Sequence, residues 1–169
     1  MIRLAVLEQT VQQLGWLLAG SSPHEQGAFC LLREGRGTSG SRLLATDLLL
    51  PPPDAWERQG ESILRPRAQW ISAVISCAVR ARSGLLFVHS HPDPRYPIGL
   101  SAIDMESFQA LAQCLAPTLD GPFAAAVVHP RGWGAVAWIG STVTPVDRVL
   151  SVGRTLRFLS LLNPRRTVG

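Results

Sequence analysis

The sequence contains no lysine; all 16 residues of the Lys and Arg class are arginine. Coding bias of a GC-rich genome produces such a pattern, and so does service among lysine-modifying enzymes that the protein itself must escape. Charge of either sign is sparse at 17% of residues while 46% are hydrophobic, a balance that excludes a disordered chain. Also absent is an unbroken apolar run of the ~18–20 residues that a membrane span needs. The opening MIRLAVLEQTVQQLGWLLAG has the look of a signal peptide, but Glu8, Gln9, Gln12 and Gln13 break its apolar part. An amphipathic helix is expected there, with the cytoplasm as default compartment. Cysteine is limited to Cys30, Cys77 and Cys114, far apart and without a C-x-x-C pair, which reads as reduced, buried thiols. The net charge is +4. Arg33, Arg36, Arg42, Arg58, Arg65, Arg67, Arg80 and Arg82 are scattered without interleaved aromatics. That supports a nucleic-acid groove weakly and is equally compatible with an acidic or polar protein partner.

What is present is an alternation of helix and strand signals over a length suited to one domain, residues 1–169. Leu4, Leu7, Val11, Leu14 and Leu18 recur at helical steps and predict a helix over about 3–19. AFCLL (28–32) predicts a buried strand, GRGTSGS (35–41) a hairpin turn, and RLLATDLLL a returning strand that stops at Pro51. PPPDAWERQGES reads as an exposed irregular loop, SILRP as a short strand, and the run from Trp70 to Val79 as a second helix. GLLFVH (84–89), bounded by Gly84 and Pro92, has the continuous apolar character of a central strand covered on both faces. Met105, Phe108, Leu111, Ala112 and Leu115 place a third helix from near Ser101, and residues 123–139 form a hairpin around PRG. VLSVGRTLRFLSLL is ambiguous; a C-terminal helix from about Gly153 is expected. The fold class is therefore α/β, a sandwich around a central mixed sheet.

The chemistry concentrates in VHSHPDPRYPIGLSAID, residues 88–104. His89 and His91 lie two apart on an extended chain, so both imidazoles face one side at the carboxyl end of the central strand. Ser101 and Asp104 have the spacing of a capping box and need mean no more than a helix start. Taken together, two imidazoles and a returning carboxylate make a catalytic zinc set with one position left for water.

These residues resemble the signature of the JAMM (JAB/MPN/Mov34) zinc metalloproteases, most closely the small stand-alone prokaryotic JAB proteins. The likeness covers most of the chain: an early helix, P-x-E-x-G before a buried strand, LLFVHSHP, and the helix after Ser101. It implies a three-layer JAB/MPN sandwich of the cytidine-deaminase-like kind and one Zn²⁺ held by His89, His91 and Asp104. By the same likeness Ser101 helps hold an oxyanion and Glu25 is the general base. Among other glutamates, Glu8 fits a solvated helix face and Glu34 an exposed turn. His24 points away from its neighbour Glu25, and His129 reads as a satisfied surface histidine. Nine residues separate His91 from Ser101, two more than the family's usual spacing, and the longer loop brings Arg95 and Tyr96 beside the site.

The resemblance implies an isopeptidase or peptidase that cuts after the C-terminal tail of a ubiquitin-like protein, with activating and conjugating enzymes as possible partners. Trimming of a sulfur-carrier protein is an alternative within the same class. A ligand-free scaffold is disfavoured by the intact residues. A RadC-like DNA-associated protein is disfavoured by the scattered arginines, and a non-haem iron oxygenase by the helices. An extended tail is most simply held by β-augmentation. Residues 51–61, with Trp56, are expected to border that groove, and residues 94–100, with Arg95 and Tyr96, to form its opposite wall.

Overall fold

A computed structural model describes residues 1–18, 23–37, 40–93, 95, 99–129 and 131–160. Alternation starts at once. Ile2, Leu4 and Val6 are buried while Arg3, Ala5 and Leu7 are half-buried, which makes Ile2–Leu7 a strand, β1. Helix α1, Glu8–Leu18, follows with no intervening turn and buries Thr10, Leu14 and Leu18. The expected helix over 3–19 is thus corrected in its first third. Leu4 and Leu7 satisfy a helical step by coincidence, and the period-two burial wins because β1 lies between two parallel neighbours.

Strands β2 (Gly27–Gly37) and β3 (Gly40–Leu49) form the anticipated hairpin. The stretch read as an exposed loop carries a strand, β4 (Trp56–Gln59), which pairs antiparallel with β5 (Leu64–Pro66). Its polar, exposed side chains gave no strand pattern; Trp56 is half-buried against Trp70, with ring centroids 4.9 Å apart. Helix α2 (Ala68–Arg80) buries Trp70, Val74 and Ala78 at four-residue steps. Strand β6 (Gly84–Ser90) is buried at all seven positions. Helix α3 (Ala102–Leu115) precedes the β7–β8 hairpin (Phe123–His129 and Gly132–Ile139). Strands β9 (Thr142–Pro145), β10 (Arg148–Val152) and β11 (Leu156–Ser160) complete the described chain. The helix expected from Gly153 is replaced by β11: parallel pairing of β10 with β1 recruits this segment into the sheet, and β11 then turns back on β10.

One nine-stranded mixed sheet results, in the order β11-β10-β1-β3-β2-β6-β7-β8-β9. Its two faces bury separate cores. Leu14 and Leu18 of α1 pack on one face with Leu4, Val6, Leu43, Leu86 and Val88. On the other, Trp70 and Val74 of α2 and Phe108 and Leu115 of α3 pack on Phe29, Leu85, Phe87 and Trp138. Each buried Leu or Phe contributes about 1.5–3 kcal/mol of transfer free energy. The molecule is therefore mixed α/β, with α1 on one side of the sheet and α2 and α3 on the other. Among the three thiols Cys30 is buried, but Cys77 is half-buried and Cys114 exposed. Placing all three inside ignored that Cys114 lies off the buried stripe of α3, which runs through Phe108, Ala112 and Leu115.

Candidate metal centre

His89 is the penultimate residue of β6, opposite Gly27 of β2 in antiparallel register. Pairing continues past the formal strand end, because Ser90 N donates to the Gln26 carbonyl at 2.8 Å and Gln26 N to Ser90 Oγ at 2.9 Å. That register carries Glu25 to the level of His91. On the far side His91 N donates to the Val128 carbonyl at 3.0 Å, so β7 fixes the same segment. Aromatic neighbours set the His89 ring: it stacks on Phe87 at 5.9 Å and meets the edge of Phe108 at 5.3 Å.

The carboxylate arrives from α3. Ser101 is the N-cap; its hydroxyl accepts from Asp104 N at 3.1 Å and its own N–H donates to Asp104 Oδ2 at 2.7 Å. The capping box is real, and it also aims the carboxylate. Asp104 Oδ1 lies 3.3 Å from His89 Nε2, and Oδ2 lies 3.4 Å from His91 Nε2. The helix start and the candidate ligand are one device.

The two Nε2 atoms are 3.2 Å apart. A tetrahedral ion bound at about 2.0–2.2 Å holds its donors about 3.3–3.6 Å from one another. The His89–His91 separation is close to that edge length, and Asp104 sets one oxygen against each imidazole, Oδ1 toward His89 and Oδ2 toward His91. Glu25 completes the cluster from the other side, with Oε1 3.7 Å from His91 Nε2. Ligand atoms of Glu25, His89 and His91 all lie within 4.8 Å of one another, and all three residues are buried. A buried Glu25–His89–His91 group able to hold a metal ion is thus present, with Asp104 against both histidines.

The electrostatics divide the carboxylates. Burial raises the Glu25 pKa to about 7, opposed by the His91 charge and reinforced by Asp104. Burial would raise Asp104 as well, but hydrogen bonds from His89 and His91 prevail and hold it well below the usual carboxylate range. His89 is pushed down by its own burial, with Asp104 opposing. The electrostatics thus favour an ionised Asp104 and a neutral His89 beside a Glu25 carboxyl raised to about 7.

From this cluster a groove of about 600 Å³ runs between β5 and α3, walled by Leu64 and Arg65 on one side and Ile103, Ser107 and Leu111 on the other. Trp56 is not among the lining residues; it packs on Trp70 and supports the hairpin from beneath. Arg95 lies outside the groove, exposed and chelated by Asp93 at 2.6–3.0 Å. Tyr96 falls outside the described residues. Among the described residues the second wall is α3; the expected wall at 94–100 lies largely outside the described residues. Sequence reasoning missed Ile103, Ser107, Leu111 and Cys114. Their three- and four-residue steps trace a second stripe on α3, beside the core stripe, and that periodicity was there to be read. His129 is buried at 3% exposure instead of lying on the surface, and its Nδ1 accepts from Arg131 N at 3.1 Å. His24 is exposed.

No protein-family model matches this chain, and no curated protein matches it either.

Proposed function

We propose that this protein is a zinc-dependent isopeptidase or peptidase with the JAB/MPN fold, cutting after the C-terminal tail of a ubiquitin-like protein. The observation that carries the hydrolase reading is the buried Glu25–His89–His91 group able to hold a metal ion, with Asp104 against both histidines. The substrate class rests on the resemblance of HSHP and Ser-x-x-Asp to the JAMM signature.

Zinc held by His89, His91 and Asp104 would supply a water acidified to a pKa of about 7 and a Lewis acid for the scissile carbonyl. Glu25, held against His91, would take the proton from the attacking water and return it to the departing amine. The Ser101 hydroxyl accepts from Asp104 N and keeps its own proton to donate to the oxyanion. Burial of Glu25, His89 and His91 strengthens each of these interactions by excluding bulk water. The tail lies extended between β5 and α3, adding a strand to the β4–β5 hairpin. Trp56 acts by holding that hairpin, and Arg95 and Tyr96 contact the substrate. Activating and conjugating enzymes are the expected partners. No helix among the described residues is long and apolar enough to cross a membrane.

The test is incubation of purified protein with a bacterial ubiquitin-like protein extended at its C-terminus, followed by mass spectrometry. Release of the extension at the tail, lost in Glu25→Gln, supports the reading. An intact substrate with zinc-loaded enzyme removes this substrate class.

A further inference from the structure

Among the described residues, the half of the sheet away from the metal cluster is covered by a helix on one face alone. Strand alternation places Ile2, Leu4 and Val6 of β1 under α1. The opposite face presents Arg3, Ala5 and Leu7, all half-buried although β1 is an interior strand. Helices α2 and α3 pack over β2, β6, β7 and β8 on that face, and among the described residues no helix core reaches β1, β10 and β11.

Register then assembles something invisible in the sequence. Arg3 pairs with Arg148 of β10 on one side and with Arg42 of β3 on the other. Residues directly opposite share a face, so three arginines form a row across three strands. The next row along the strands is apolar: Leu44, Ala5, Leu150 and Phe158. Phe158 is 56% exposed and Leu156 is 60% exposed, and the Arg148 guanidinium carbon stands 5.8 Å from the Phe158 ring centroid. On this face of β1, β10 and β11 the register places no Asp or Glu. Asp147, which precedes β10, is engaged by the N–H of Ile2. Arg3 Nε is buried without a hydrogen-bond partner among the described residues.

We propose that this open face docks an acidic amphipathic helix of a protein partner. Four strands about 4.8 Å apart span about 15 Å, and a helix with its side chains is about 10–12 Å across. One helix covers the patch and supplies the missing layer. Its apolar stripe meets Leu44, Leu150 and Phe158, and its acidic flank meets Arg42, Arg3 and Arg148. A second copy of this chain is a poor occupant, because it would bring arginine row against arginine row. The segment after β11, LLNPRRTVG, carries two arginines and no acid and does not complement the row. A nucleic acid would want basic residues strung along a groove between stacking aromatics, and here one short row borders aliphatic side chains. The proposal is independent of the hydrolase reading.

The experiment titrates isotope-labelled full chain with a synthetic 18-residue helix bearing a leucine stripe and glutamate flanks, read by amide chemical shifts. A 20-base-pair DNA duplex is titrated in parallel. Expected are shifts confined to β1, β3, β10 and β11, with affinity at least about tenfold weaker in Arg42→Glu/Arg148→Glu. Arg58→Glu/Arg80→Glu, which changes net charge equally elsewhere, should stay within about twofold of the parent. Equal weakening in both variants, no binding of the peptide, shifts elsewhere, or tighter binding of the duplex each overturns the proposal. Leu150→Ser, read by the same titration, guards against an unfolded double variant: it keeps all charges and should still lose affinity.

Discussion

The N–H of Glu25 donates to the carbonyl of Gly60 at 2.8 Å, and Gln59 Nε2 donates to the Glu25 carbonyl at 3.0 Å. The candidate base is thereby tied through its backbone to the hairpin that borders the groove. Glu25→Gln should keep fold and metal while hydrolysis falls at least about a hundredfold. Metal-free protein gives a second readout. The folded pKa of Glu25 is raised to about 7 from 4.5, so its stabilising contribution is full below pH ~4.5 and is lost as pH rises through about 7. Metal-free Glu25→Gln lacks that loss, and its melting temperature should gain on the parent between pH 5 and pH 8. A constant difference across that range removes the buried-acid assignment.

Metal content comes next. Protein purified without added metal should carry close to one zinc per chain, and His89→Ala/His91→Ala should carry none by elemental analysis. Ser101→Ala removes the hydroxyl that caps α3, at about 0.5–2 kcal/mol, and loosens the aim of Asp104. Its zinc affinity should fall about 10–100-fold, as for other residues that orient a ligand. Unchanged affinity would mean that Asp104 is held by the histidines alone.

Trp56 and Ile103 should separate structure from recognition. Trp56→Ala empties the contact with Trp70 and should lower the melting temperature. Ile103 is 72% exposed at the groove wall. Ile103→Asp should leave the melt unchanged and raise KM for the tailed substrate several-fold. Unaltered KM in a folded Ile103→Asp protein would take α3 out of the substrate path.

The thiols differ by burial. Cys30 is pushed up to about 12, first by burial and then by the Asp47 charge, so almost no thiolate exists at pH 8. Iodoacetamide at pH 8 should label Cys114 readily and Cys30 only after unfolding, as peptide mapping would show. A bulky maleimide on Cys114, which lines the groove, should obstruct substrate without releasing metal.

Local chemistry was legible and long-range pairing was not. The all-apolar β6, the His-x-His at its end and the Ser-x-x-Asp cap each announce themselves within a few residues. β1 was hidden because Leu7 leads into Glu8 without a Gly or Pro to separate strand from helix. β10 was hidden because Val149, Leu150 and Val152 are apolar on both faces, which leaves no alternation to read. β4 carries charged side chains and is a strand by virtue of its partner β5. The groove and the arginine row arise between elements far apart in sequence, and periodicity within one element cannot show them.

The parallel pairing of Arg3 with Arg148 also dictates an order of events in synthesis. Strand β1 emerges early, yet one of its two edges has no partner until β10 has left the ribosome, almost the whole described chain later. Every residue of the metal cluster is translated before then, so the centre's strands can pair while that edge stands open. A nascent chain emerged to just short of residue 148 would hold its histidines and carboxylates in register and still expose an adhesive β1 edge to its neighbours.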